Sequence, residues 1–426
     1  GLDLDGNVNG GNLSISVGRD YLEGNTATGT SLQAYIKRRL EANLTADNYG
    51  EGATTISAGE INGSTISVTG DVDYLQVHRN LQGSVQIDGD LGQVDIGGHT
   101  TGNLSAASAG NISIGGSFNG SLGITAANLD SLEVGLDLNA NVTAIGDIGV
   151  VTVGRNQSGV IEAAFIGSVA VGGELTGSLI SNDAGIGGVR AGSINSTASF
   201  AISAAGDVSS ITVLGDLFGD INIQGELGSI TVGEYLGYYN YYSYYNFRQG
   251  GDFKGDLTAD SIGSIKVVAA GQHGGSILEG STIEALYGGI TTFRADAGVA
   301  ADIFAAGEVN TFDVALSRPG DFVGSLIVTQ SSEPFSIDRI KITHGSFEGE
   351  IYIVGGLGQL DIWGDAEGDI YVAGVLGYGT NNVGLTTRHG DLSGTVEVGG
   401  SLSKLYVGGS LNSSVSVGGN LGSLTV

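Results

Sequence analysis

Leu and Val recur in a fixed frame along this chain. The C-terminal end reads GDLSGTVEVG, GSLSKLYVG, GSLNSSVSVG and GNLGSLTV, starting at Gly390, Gly400, Gly409 and Gly419. Complete units alternate between ten and nine residues. Each opens with Gly, a small polar residue and Leu. Each closes on two apolar residues spaced by two: Val396 and Val398, Leu405 and Val407, Val415 and Val417, Leu424 and Val426. The frame recurs upstream at Gly89–Gly97 (GDLGQVDIG), Gly146–Gly154 (GDIGVVTVG), Gly206–Leu214 (GDVSSITVL), Gly215–Gln224 (GDLFGDINIQ) and Gly225–Gly233 (GELGSITVG).

A spacing of two is the strand period, with alternate side chains facing inward. Val and Ile suit strands, and runs of three to five residues are too short for amphipathic helices. Glycine at each boundary permits positive φ and a sharp bend. Two or three such strands close a coil of about twenty residues that cannot bury its own apolar face, so coils must stack. The expected fold is all-β: one elongated parallel β-solenoid over 1–426, expected to be right-handed, of about twenty coils. At about 4.8 Å per coil it would make a rod on the order of 100 Å long. Propeller repeats are longer than these units and sandwiches need hairpin turns.

Four stretches leave the frame. In 30–50, Leu32, Ile36, Leu40 and Leu44 share one helical face behind a capping Ser31. This spacing predicts a short helix that caps or flanks the solenoid. Its Lys37, Arg38 and Arg39 offer the alternative of a docking site for an acidic neighbouring chain. The segment 234–250 contains YLGYYNYYSYYNF, which holds 7 of the 16 tyrosines. It is expected to leave the coil as a loop. Tyr235, Tyr238, Tyr239, Tyr241, Tyr242, Tyr244, Tyr245 and Phe247 would form a contact patch for a subunit, a surface protein or a glycan, tyrosine being enriched at interfaces. Residues 290–345 keep strand-like pieces between longer loops and include both prolines. Residues 378–388 read as a polar loop.

Composition sharpens this picture. Of 426 residues, 77 are Gly and 41% are hydrophobic, too apolar and too ordered for a flexible linker. With 16 Lys+Arg against 45 Asp+Glu the net charge is −29, which argues against nucleic acid or an anionic membrane as partner. No apolar run is long enough for a membrane-spanning helix. Cys and Met are both absent, so no disulfide or thiolate metal site exists, and the lack of oxidisable sulfur suits an extracellular or cell-surface location.

Candidate chemistry is sparse. Acidic residues follow the bend glycine at Asp71, Asp90, Asp147, Asp207, Asp216, Glu226 and Asp391. Stacked in register, they could hold Ca2+ or serve a polysaccharide-active enzyme. Ser117, Ser401, Ser410, Asn111 and Asn420 dilute the row, which favours a solvated turn position instead. Asp3, Asp5 and Asn7 loosely match the start of a calcium loop, but its closing Glu is missing. The histidines lack close metal-ligand spacing. No cofactor is expected, apart from the Ca2+ alternative, and no catalytic residue is assigned.

The pattern G-[DSN]-L-x-x-[VL]-x-V-G at Gly400–Gly408 and, with Glu second, at Gly225–Gly233 resembles the Gly-rich repeats of bacterial surface proteins. It is similar to the β-helix stalks of autotransporter passengers and filamentous-haemagglutinin-type adhesins. The resemblance implies an extracellular stalk, adhesin or sheath component. Together these readings predict a structural protein that self-associates into a filament, sheath or surface layer. Val426, expected inside a terminal strand without a polar cap, is the candidate head-to-tail contact. The alternative is an adhesin presenting the tyrosine loop.

Overall fold

The computed structural model describes residues 4–5, 8–23, 25–47, 54–233, 250–270, 273–329, 335–377 and 384–426. They form an all-β parallel solenoid of about 18 turns, grouped in two compact units, Gly1–Val189 and Arg190–Val426.

In the first unit each coil has three ladders. One long side carries Val72–Val77, Asp90–Ile96, Ser108–Ile114, Leu129–Val134 and Ile148–Val153. These pair in parallel through Val72, Leu91, Ala109, Leu129, Ile148 and Ile166, residues 18 to 20 apart. A second side carries Ser84–Ile87, Asn103–Ala106, Ser121–Ile124, Asn141–Ala144 and Val160–Ala163. Single bridges along Ile61, Leu81, Thr100, Phe118, Leu138, Gln157 and Leu175 make the third.

This geometry explains why nine- and ten-residue units alternate. On the long side the inward residues are spaced three then two, as in Leu91, Val94 and Ile96. Across the other two ladders they are spaced four then two, as in Phe118, Leu122 and Ile124. All six are buried. One coil is therefore one unit of each kind. Each inward aliphatic side chain contributes roughly 1.5–3 kcal/mol once a neighbouring coil covers it, so only the stack is stable.

Bend glycines act mainly through close approach. Positive φ does occur, at Gly63 (φ 71°) and Gly233 (φ 75°). Along the row Gly102, Gly120, Gly159 and Gly177, however, a Cβ would run into the carbonyl oxygen of the preceding coil at Gly83, Gly102, Ala140 and Gly159 respectively.

The helix expected within 30–50 is not formed. Asn25–Leu40 is a strand paired in parallel with Val8–Val17 and with Thr55–Ile61, and Asn43–Ala46 is another. Leu32, Ile36, Leu40 and Leu44 are indeed all buried, but a spacing of four fits period two as well as period 3.6. Ala34, between Leu32 and Ile36, decides the matter. It is also buried, while its neighbour Tyr35 is exposed. Residues 48–50 lie outside the described residues.

The second unit repeats the plan. Its long side pairs Val208, Leu227, Ile262, Ile290, Val309, Ile337 and Leu357 in register. Extra residues leave at corners and the register resumes. Residues 290–345 follow this pattern, as expected, through Ile290–Ala295, Val309–Val314 and Ile337–Ile342. Pro334 falls outside the described residues. Four rings thicken the core here. Phe293 stacks on Phe312 at 4.4 Å and Phe322 on Phe347 at 5.6 Å. The polar loop expected over 378–388 is partly strand: Leu385–Thr387 joins the long side opposite Leu405–Val407. Near the C-terminus the strand is Leu424–Thr425, so Val426 lies just beyond it and is exposed.

Candidate functional site

The turn position after the bend glycine is solvated, as expected: Asp71, Asp90, Asp147, Asp207, Asp216 and Glu226 are all exposed. Side chains in this position also stitch coils together. Asp71 Oδ1 accepts the backbone N–H of Asp90 at 2.8 Å, Asn128 Oδ1 that of Asp147 at 2.8 Å, and Asp207 Oδ1 that of Glu226 at 2.8 Å. Partners are 19 residues apart, one coil on. In the second unit a corresponding row at the corner where the long side ends, before Phe322, Phe347, Ala366, Leu392 and Leu411, runs unbroken. Ser346 N–H donates to Asp321, Asp365 N–H to Ser346, Asp391 N–H to Asp365 and Ser410 N–H to Asp391, at 2.7 to 3.2 Å. The backbone at a bend cannot pair fully with its neighbour, and a short side chain with an acceptor oxygen replaces the missing carbonyl. Asp, Asn and Ser all qualify, which explains the dilution of the acidic residues. Asp216 belongs to the same system through Asp252.

The basic residues are segregated in a way the repeat alone does not reveal. Arg19, Lys37, Arg38, Arg39, Arg79 and Arg155 are all the Lys and Arg of residues 1–189. Every one lies at the corner where the long side ends, after Val17, Ile36, Val77 or Val153. Backbone bonds join this corner from coil to coil, Arg38 N–H to Arg19 O, Gly98 N–H to Arg79 O and Arg155 N–H to Leu136 O. Three residues separate Ile36 from Leu40 and Val77 from Leu81, but only Gly59 and Glu60 separate the register-matched Ala58 and Ile61. The shortened turn leaves a notch one coil wide, a cleft of about 290 Å3 lined by Asp20, Lys37, Arg38, Arg39, Gly59, Glu60, His78 and Arg79.

Some of these charges are already matched. Buried Asp20 accepts the Arg39 N–H at 3.1 Å and lies 3.6 Å from Arg38 Nη1, and Arg39 Nη1 bonds Glu41 Oε1 at 2.7 Å. Lys37 and Arg79 make no ion pair among the described residues and are exposed. Further along the corner, Arg155 holds Asp137 below the ordinary aspartate range, chiefly through their side-chain hydrogen bond.

In the second unit the equivalent corner brings aromatic rings together at tilted angles. Trp363, exposed, lies between His389 at 4.4 Å and His344 at 6.1 Å, centroid to centroid. Beside it Arg388 bonds buried Asp361 in a two-pronged pair, at 2.8 and 2.7 Å. Neither corner is visible in a search for ligand spacings. The usable signal is which residue follows the last inward Val or Ile of the nine-residue unit.

Tyr235, Tyr238, Tyr239, Tyr241, Tyr242, Tyr244, Tyr245 and Phe247 lie outside the described residues, as do Asp3 and Asn7, while Leu4–Asp5 is a strand beside Tyr21–Glu23. Among the described residues no group of three or more His, Asp or Glu is arranged to hold a metal ion. Comparison with protein-family models, with curated proteins and with solved structures finds no match to this chain.

Proposed function

We propose that this chain is an extracellular structural protein, a subunit of a filament, sheath or surface layer built by contacts between copies. The observation that carries this reading is the turn row. The repeat position with the most carboxylates is used to bond one coil to the next, at Asp71, Asp207, Asp321, Asp365 and Asp391. Polar residues that elsewhere would serve catalysis or ligand binding here hold the scaffold together. The likeness of the repeat to autotransporter and haemagglutinin-type stalks fits the same reading, as does the absence of Cys and Met from the sequence.

Negative-stain electron micrographs of the purified full chain, taken over a rising concentration series, test the proposal. Ordered multimers are expected. Single particles of one chain at every concentration would refute it. An adhesin, the second reading, rests on the tyrosine segment. It predicts that serine at Tyr238, Tyr239, Tyr241, Tyr242, Tyr244 and Tyr245 abolishes surface attachment without changing the circular dichroism spectrum.

A further inference from the structure

The long side of the first unit has opposite charges along its two edges. Its strands begin at a corner carrying Asp71, Asp90, Asp130 and Asp147, all exposed. No Lys or Arg of residues 1–189 lies at that edge; all six lie at the other. The strands span about six residues, so the edges are roughly 20 Å apart. Asp130 and Asp147 sit on adjacent coils, flanking the paired Leu129 and Ile148. Their side chains make no hydrogen bond or ion pair among the described residues. The notch at Gly59, with its unpaired Lys37 and Arg79, is the most cationic point of the opposite edge.

We propose, resting on the structural reading above, that a second copy of this chain docks on this side, with its strands crossing those of the first at nearly a right angle. The notch of each copy then receives the Asp130–Asp147 edge of the other. Such a contact is isologous, and one two-fold axis makes both ion clusters at once. The notch is centred on the coil of Ala58, and the acidic pair spans the coils of Leu129 and Ile148. The axis therefore passes close to Asp90–Ile96, midway between them. Charge explains the choice of partner. A chain of net charge −29 repels its copies almost everywhere, and a local cationic notch facing a local carboxylate pair selects one orientation. At low ionic strength repulsion between the whole chains also grows, so the contact is read through charge reversal and not through salt alone.

The experiment uses sedimentation velocity on the full chain and two variants, Lys37→Glu/Arg79→Glu and Asp130→Lys/Asp147→Lys. The wild type is expected to show a dimer boundary. Each variant alone loses it, because like charges face each other in both clusters. An equimolar mixture of the two regains it, because each reversed edge now meets its opposite twice. Matched thermal unfolding of the three proteins excludes misfolding as the cause. If the wild type associates and the variants associate equally, this face is not the contact and the inference fails, while the structural reading stands. If both variants dissociate but the mixture does not recombine, the pairing is wrong. If the wild type stays a single chain at all concentrations, the structural reading fails with it.

Discussion

Asp391 illustrates what a single turn residue does. Its Oδ1 accepts the Ser410 N–H at 2.7 Å, and its own N–H donates to Asp365 at 2.7 Å. Asp391→Ala removes one acceptor and should cost about 1 kcal/mol. Asp391→Ser should cost less, because Ser346 already fills this role in the same row and Ser401 fills it at the opposite corner. Urea unfolding of both variants measures the difference, and an equal loss would mean the hydroxyl is no substitute. Burial sorts the two corner arginines. Arg388→Ala leaves buried Asp361 without its partner and should destabilise by about 1–3 kcal/mol. Arg155→Ala strips an exposed, solvent-screened pair and should change stability much less. The Arg155 pair carries a pH dependence. Its aspartate, Asp137, has a folded pKa below its unfolded value, so the stabilisation is present above the unfolded pKa and fades as pH falls through the folded one. An NMR titration of the Asp137 carboxyl should move back towards the ordinary range in Arg155→Gln.

Elements in this fold are set by pleat and approach more than by propensity. Gly120→Ala places a methyl against the Gly102 carbonyl of the preceding coil and should destabilise by about 1–3 kcal/mol, as overpacking does. Ala140 occupies the same row one coil after Gly120, so the row carries a Cβ at one position. Unfolding of Gly120→Ala close to wild type would show that the bend moves more freely than its contacts imply. The strand at Asn25–Leu40 gives a second test. Ala34→Glu puts a charge into the core and should be severely destabilising, while Tyr35→Glu should be tolerated, an outcome a helix over 30–50 would not produce.

Much of this was legible in the sequence. The inward Leu and Val positions, the coil length and the parallel register follow from the spacing of apolar residues. Even the alternation of nine and ten has a direct structural counterpart in the two kinds of side. The helix was misread because Leu32, Ile36, Leu40 and Leu44 satisfy both periods, and a small residue such as Ala34 carries little weight in a hydropathy pattern. The turn row was undervalued because its value lies in a bond to a residue 19 positions away, which no local window contains. The notch depends on one missing residue between Ala58 and Ile61, visible only once coils are aligned.

At the scale of the whole molecule, composition and fold point the same way. Turn side chains such as Asp71, Asp207 and Asp391 serve the stack itself, while Lys37 and Arg79 on one edge and Asp130 and Asp147 on the other are the groups we propose another copy of the chain brings together. A net charge of −29 keeps copies apart unless a specific contact overcomes repulsion, so assembly should be selective and concentration-dependent. The most direct measurement is the scattering mass of the purified full chain by small-angle X-ray scattering across a wide concentration range. The account predicts that the mass per particle rises above that of one chain and reaches discrete or growing multiples. A mass fixed at one chain up to the highest concentration would contradict it.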